Sequence, residues 1–468
     1  MTVRKDHALR GDMTVGSPLK KILWFAVPLF IGNIFQQVYN LADTAIAGYT
    51  LGDNAIAAIG ATSSLYSLLV DFASGMNSGF GIVTAQSFGA KNWGKVRRSI
   101  AAMLVLNLVL AAVLTAGSLV ALRPLMAAME VPAAIFEDAY AYIFVIFAGL
   151  LATVCYNMFA GILRAFGNSR TPLYVLVAAC VVNLVLDVFF MVQFQWGVAG
   201  AAAATVIAQA FSAVLCGLYL WKVYPHLLPR RGDFRLEGPL VKEMWSTGSA
   251  MALMLCVVDL GSVLYQKGIN GLGQQLIVAH TAARKLIGML MMPLGSVATA
   301  YSTFVGQNFG AGKMERIRST MKKVMGLQIA WGLVSCAVIF LLGGSLVVLL
   351  TDTEDAAVVE NAVFSLRCHF ACFPVLGVLL AFRTAMQAMG QKLIPVVSSG
   401  FELFIKVAAG LWLIPLYGYV VACVAEPVIW ILSTAFLLIS YGIKQPLKQR
   451  EEQDAPDAGR FIREGEAV

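Results

Sequence analysis

The sequence is short of charge. Only 13% of its 468 residues are Asp, Glu, Lys or Arg, against about 25% in ordinary soluble chains. With 59% hydrophobic residues and a mean hydropathy of +0.77, this excludes a sizeable soluble domain and leaves a polytopic membrane protein. Histidine is scarcer still. His7, His226, His280 and His369 are the whole supply, and their spacing forms neither a metal set nor a nucleophile–base pair, so an enzyme is not expected. No Gly-x-x-x-x-Gly-Lys-Ser/Thr phosphate loop occurs, so any transport must draw on an ion gradient. The eight cysteines lie in apolar runs, where Cys behaves as a small hydrophobe; neither a disulfide nor a metal role is expected of them. The net charge of +8 is spread over short loops rather than one face, so nucleic acid is not an expected partner.

What is present is a series of twelve apolar runs: 22–47, 54–85, 99–122, 136–163, 172–193, 197–221, 243–266, 275–305, 324–350, 358–386, 394–415 and 419–443. Each approaches the roughly 20 residues a spanning helix needs, and runs this long and apolar span lipid only as helices. The first run is too long for a signal-peptide core and is expected to stay as a span. Basic residues crowd ahead of the first span (Arg4, Lys5, Arg10, Lys20, Lys21) and into the even-numbered loops, whereas Asp352, Glu354, Asp355 and Glu360 make the ninth loop acidic. The positive-inside rule then places both termini in the cytoplasm. The sixth loop, rich in Pro and Gly, reads as a linker with an amphipathic stretch that would lie on the membrane surface. The expected division is an N-terminal segment 1–21, a first lobe 22–221, a linker 222–242, a second lobe 243–443 and a tail 444–468.

The halves repeat. Ala85-Gln86-Ser-Phe-Gly-Ala90-Lys91 recurs as Gly306-Gln307-Asn-Phe-Gly-Ala311-Gly312, an offset of 221. Arg97 matches Arg318, Gly52 matches Gly273, and Gly197 and Ala201 match Gly418 and Ala422 at that same offset; Gly167 and Pro172 match Gly390 and Pro395 at 223. Two six-span halves of one orientation are a common plan for secondary transporters. The Gln86 and Gln307 segments are expected to turn the chain at the cytoplasmic end, their glycines taking unusual backbone angles.

Polar groups inside apolar runs are the candidates for function. Asn183 and Asp187 stand at i,i+4 on one face of the fifth span, and Asp43 lies in the first. The repeat does not keep them: Asn183 corresponds to Lys406, Asp187 to Gly410, Asp43 to Val263 or Leu264, and Thr205 to Glu426. Two carboxylates in one cavity do not both ionise easily, so the pair suits a proton; with Asn183 and Thr205 as neutral oxygen ligands it also suits Na⁺. A carboxyl satisfied by backbone or hydroxyl groups is the bland alternative. In the second half, Asp259, Gln266, His280 and Arg284 are possible site groups. Glu402 and Lys406 are expected to pair, Glu426-Pro427 to cap or kink the twelfth span, His280 to be a core histidine, and Met289, Met291 and Met292 to pack as core. Pro28 removes a backbone bond inside the first span and is expected to bend it.

Pro28, Gln36, Tyr39, Asn40-Leu-Ala-Asp43-Thr44, Asn183-Leu-Val-Leu-Asp187, Gly197-Val-Ala-Gly200-Ala-Ala-Ala-Ala-Thr205 and the two Gln-x-Phe-Gly-Ala segments resemble the multidrug and toxic compound extrusion (MATE) family, in its prokaryotic damage-inducible and archaeal branch. The resemblance covers roughly residues 15 to 445. It implies an all-α integral membrane protein, with twelve transmembrane helices in two pseudo-symmetric six-helix lobes set in a V. It also implies multidrug efflux across a prokaryotic plasma membrane: export of amphipathic or cationic organic compounds by antiport with H⁺ or Na⁺. Cation coupling would map to Asp43, Asn183, Asp187 and Thr205, compound binding to Gln36, Tyr39 and Asn40, and a helix bend to Pro28. No cofactor beyond the coupling ion is implied; small organic compounds and membrane lipids are the expected partners of a monomer. Another branch of the family carries an acid pair in the second lobe. Here the tenth span has no interior acid, which favours the first-lobe site. A flippase for a lipid-linked or anionic substrate is the alternative, with Arg164, Arg284 and Lys406 as its few cationic groups.

Overall fold

The computed structural model describes residues 11–351 and 355–454; Arg4, Lys5, His7, Arg10, Asp352 and Glu354 lie outside them. Among the described residues ten helices are long and apolar enough to cross a membrane, and two bent helix pairs bring the number to twelve if each pair is one span. In chain order they are α1 Pro18–Leu51, α2 Asp53–Gly89, α3 Trp93–Ala128, α4 Phe136–Ala148 with Leu150–Ala165, α5 Arg170–Val188 and α6 Gly197–Val223. The second half follows with α7 Gly238–Asn270, α8 Gln274–Gly310, α9 Met314–Thr351, α10 Ala356–Ala371 with Phe373–Ala388, α11 Leu393–Ala408 and α12 Tyr419–Lys444. A short helix, α13 Pro446–Asp454, closes the described chain.

The sequence repeat is a repeat of backbone geometry. Gly52 and Gly273, Gly167 and Gly390, and Gly197 and Gly418 all have positive φ, as do Lys91 and its partner Gly312. Left-handed backbone strains any residue with a Cβ, so glycine recurs where the turns recur. Both α5 and α11 end in one π turn, Phe189–Gln193 and Ala409–Leu413. Spans four and ten are both bent, by 47° and 51°. The sequence reading took each as one straight helix. The break falls at Gly149 in α4 and at Cys372 in α10, where Pro374 opens the second segment and its missing N–H suits a helix start.

Contacts gather the chain into two compact units. The first holds Leu23–Thr84, Asn92–Asp259 and the described end of Met1–Asp12; the second holds Met13–Ile22, Ala85–Lys91 and the described part of Leu260–Val468. In the first unit α2 and α7 touch backbone to backbone: a Cβ on Gly75 would lie 2.5 Å from Ala252 Cα, and one on Gly79 2.5 Å from Gly248 Cα. Small residues four apart allow such an approach, which supplies dispersion contact where lipid gives no hydrophobic drive.

The chain turns after each repeated Gln-x-Phe-Gly-Ala segment, as expected, with positive φ at Lys91 and Gly312, while Gly89 and Gly310 are the last residues of their helices. Their missing Cβ lets the repeated segments meet, Gly89 against the Gln307 carbonyl and Gly310 against the Gln86 carbonyl. The side chains finish the junction: Gln86 Nε2 donates to the Ala388 carbonyl at 2.8 Å, and Met13 N–H to Gln307 Oε1 at 2.8 Å. The linker contains a 3-10 turn, Arg231–Phe234. It is tied to α3 and α7 by charge. Arg97 pairs with Asp233 at 3.2 Å, Arg98 with Glu237, and Lys95 with Glu243 at 3.4 Å. The Arg230 backbone N–H, and then Arg97, hold the Asp233 carboxyl below the usual carboxylate range.

Candidate functional site

The first unit brings the four sequence-predicted coupling residues together. Helix α1 supplies Tyr39 and Asp43, α5 supplies Asn183 and Asp187, and α6 supplies Thr205. Asn183 and Asp187 are fully buried, because the i,i+4 face of α5 that carries them turns inward while Val181 and Val185 stay exposed. The Asp43 and Asp187 carboxyls lie close enough to interact directly. A carboxylate only accepts, so a hydrogen bond between them would need a shared proton. The Oδ1 atom of each acid is buried with no hydrogen-bond partner.

Asn183 organises the surroundings. With its amide oriented so that nitrogen faces acceptors, Nδ2 donates to Asp187 Oδ2 at 2.8 Å and to the Tyr39 hydroxyl at 3.2 Å. Its oxygen accepts from the Thr205 N–H at 3.0 Å. The Tyr39 hydroxyl also meets Thr205 Oγ1 at 3.4 Å. The Asn183 amide that donates to Asp187 is neutral, and its N–H cannot ligate a cation, so the oxygens left for one are those of the two carboxyls and the Tyr39 and Thr205 hydroxyls. That set, with two orphan oxygens, fits a proton or a small hard cation; hard cations favour oxygen. Tyr66 and Tyr142 also come close enough to feel the Asp43 charge. The sequence reading missed both, because tyrosines in apolar runs look like core.

The other predicted compound contacts lie along α1. Gln36 Nε2 donates to Asn40 Oδ1 at 3.3 Å, and Asn40 is exposed. Pro28 lies inside α1, which continues through it as helix.

The second unit buries a different chemistry. Glu426 of α12 takes Arg284 Nη1 on both oxygens, at 2.6 and 2.7 Å, faces His369 Nε2 at 3.5 Å and Lys406 Nζ at 3.7 Å. Lys406 also pairs with Glu402 at 2.9 Å and donates to Ser262 Oγ at 3.0 Å; Glu402 lies 3.7 Å from Arg383. The expected Glu402–Lys406 pair is therefore present, within a larger network. Glu426, read from sequence as a cap or kink, is its centre. Nothing local signals this, since its partners arrive from α8, α10 and α11.

The remaining second-half groups separate. Gln266 donates to Asn270 at 2.8 Å. His280 is buried between the Tyr265 and Tyr419 rings, with Nδ1 unpartnered rather than satisfied. Met289 and Met291 are exposed, not core. Asp259 groups with the first unit, where it lies close enough to interact with Asp71 of α2. Asp71 is an acid inside the second apolar run, and the sequence reading passed over it despite that signal.

Two helical repeats and an intramembrane carboxyl pair define the class, a secondary-transporter fold. The MatE family profile matches residues 28–189 and 250–412. The chain is 26% identical over 385 residues to the "Probable multidrug resistance protein YpnP" of Bacillus subtilis, covering 82% of this chain and 85% of the relative. It is 29% identical over 353 residues to the "DNA damage-inducible protein F" of Escherichia coli, covering 71% and 73%. A solved outward-facing multidrug resistance MATE family transporter superposes with a TM-score of 0.83 at 22% identity, covering 95% of this chain and 98% of that one. The protein belongs to the MatE family, the multidrug and toxic compound extrusion transporters.

Proposed function

We propose that this protein exports amphipathic or cationic organic compounds across a prokaryotic plasma membrane, by antiport with H⁺ or Na⁺ at the Asp43–Asp187 pair. The observation that carries this reading is the pair of neighbouring buried carboxyls itself, found in one repeat and absent at the equivalent positions of the other. A buried acid pair of this kind has two stable states. With one ion bound, the mutual repulsion is relieved and only a single negative charge remains to be held by the surrounding donors; bared, the two charges repel and must reach water. Alternation between those states couples ion entry to a change in α1, with Pro28 as the bend and Gln36, Tyr39 and Asn40 as the compound contacts. Tyr39 links the two events, because its hydroxyl touches both Asn183 and Thr205. Both termini would lie in the cytoplasm. The multidrug names of the relatives support the compound class.

The test is transport in proteoliposomes with imposed ΔpH or ΔNa⁺ of defined sign. Export should follow one of the two gradients and vanish in Asp187→Asn. Export that persists undiminished in that variant, or runs without either gradient, would remove the reading.

A further inference from the structure

One buried side chain of the second unit needs an additional proton to explain its contacts. His369 in α10 is 1% exposed. Its Nδ1 lies 2.7 Å from the Ser365 carbonyl oxygen. A carbonyl only accepts, so Nδ1 carries a hydrogen. The other ring nitrogen, Nε2, faces Glu426 Oε2 at 3.5 Å and has no hydrogen-bond partner. In a neutral ring protonated at Nδ1, Nε2 presents a lone pair. A lone pair set against a carboxylate in a dry interior is repulsive, and a proton between them turns the contact into an attraction.

We propose that His369 and Glu426 form a proton-binding site in the second unit, separate from Asp43–Asp187, whose occupancy sets how firmly Glu426 holds Arg284. The charged and titratable groups around it are named by the elements that pack there. Helix α8 brings Arg284 and His280, α11 brings Lys406 and Glu402, the second segment of α10 brings Arg383 through Glu402, and α7 brings Tyr265 beside Arg284. The Trp430 ring edge lies against the imidazole at 5.7 Å. With His369 charged, Glu426 is shared among three cations. With His369 neutral, Glu426 is left to Arg284 and Lys406 alone. Arg284 is the member whose side chain remains 42% exposed, so it carries the protonation state to the open face of α8.

The effect on transport rests on the antiport reading above; the proton site itself does not. The direct test is histidine-selective ¹⁵N NMR of the full chain in detergent, with the four imidazoles assigned by single His→Gln variants, His369 by elimination if its own variant does not fold. The expected spectrum keeps hydrogen on Nδ1 throughout and gains it on Nε2 as the pH is lowered. Glu426→Gln should move that transition down by about one pH unit or more. A neutral Nε2–H tautomer, or a transition unmoved by Glu426→Gln, overturns the proposal. In proteoliposomes His369→Gln should keep export and flatten its pH profile, and an unchanged profile also overturns the proposal. Asp187→Asn behaving as wild type would instead sink the antiport reading while leaving the NMR prediction standing.

Discussion

Leu264 and Gly410 occupy, in the second unit, the repeat positions that Asp43 and Asp187 hold in the first. There the helices meet directly: a Cβ on Gly410 would lie 2.3 Å from the Leu264 carbonyl oxygen, and one on Gly268 2.4 Å from the Gly410 oxygen. The space that one repeat fills with two carboxyls is closed by backbone in the other. The neighbouring pair differs as well. Asn183 and Thr205 make a neutral contact at 3.0 Å, whereas their counterparts Lys406 and Glu426 make an ionic one at 3.7 Å. One backbone plan thus carries a pair short of positive charge and a network already supplied with it. The first has no resident cation to balance its carboxyls, whereas in the second Arg284 and Lys406 already stand against Glu426.

The comparison can be broken from either side. The largest effect is expected of Asp187→Asn, which should abolish gradient-driven export in everted vesicles without lowering expression, because a neutral amide leaves nothing to load and bare. Glu426→Ala should act on stability instead. It strands Lys406, 4% exposed, and part of Arg284 without their carboxylate, and breaking a buried pair in this way costs about 3–5 kcal/mol, visible as a lowered melting midpoint in detergent. Gly410→Ala should cost about 1–3 kcal/mol, because the added methyl overpacks the α7 contact and the facing atom is backbone that cannot swing aside. The smallest effects should be equal ones. Gly197→Ala and Gly418→Ala each force a Cβ into positive φ with open space around it, costing about 1–2 kcal/mol apiece. Unequal losses there would show that the two turns are not the same device.

Much of this comparison was legible in the sequence, for reasons particular residues make plain. The repeat glycines are fixed by backbone angle, and such positions tolerate little else, so Gly52 with Gly273 and Gly197 with Gly418 stand out by spacing alone. The acid pair announces itself because a carboxyl in lipid needs a reason, and Asn183 with Asp187 share a face by helical period. The Glu426 network was hidden, since its members come from four helices and no local pattern ties α8 to α12. The bend in α10 had a signal in Pro374 that went unused, while the bend in α4 has only Gly149, packed on Val206. Gly89 and Gly310 were read as taking unusual backbone angles because close backbone approach and left-handed backbone select the same residue.

The central claim, that Asp43 and Asp187 hold one ion between them, is open to infrared spectroscopy in sodium-free buffer at neutral pH. The account predicts a protonated-carboxyl C=O band in the wild-type protein that is lost in both Asp43→Asn and Asp187→Asn, and lost on adding Na⁺ if sodium is the coupling ion. A wild-type spectrum without that band, or a band that survives both substitutions, would contradict it.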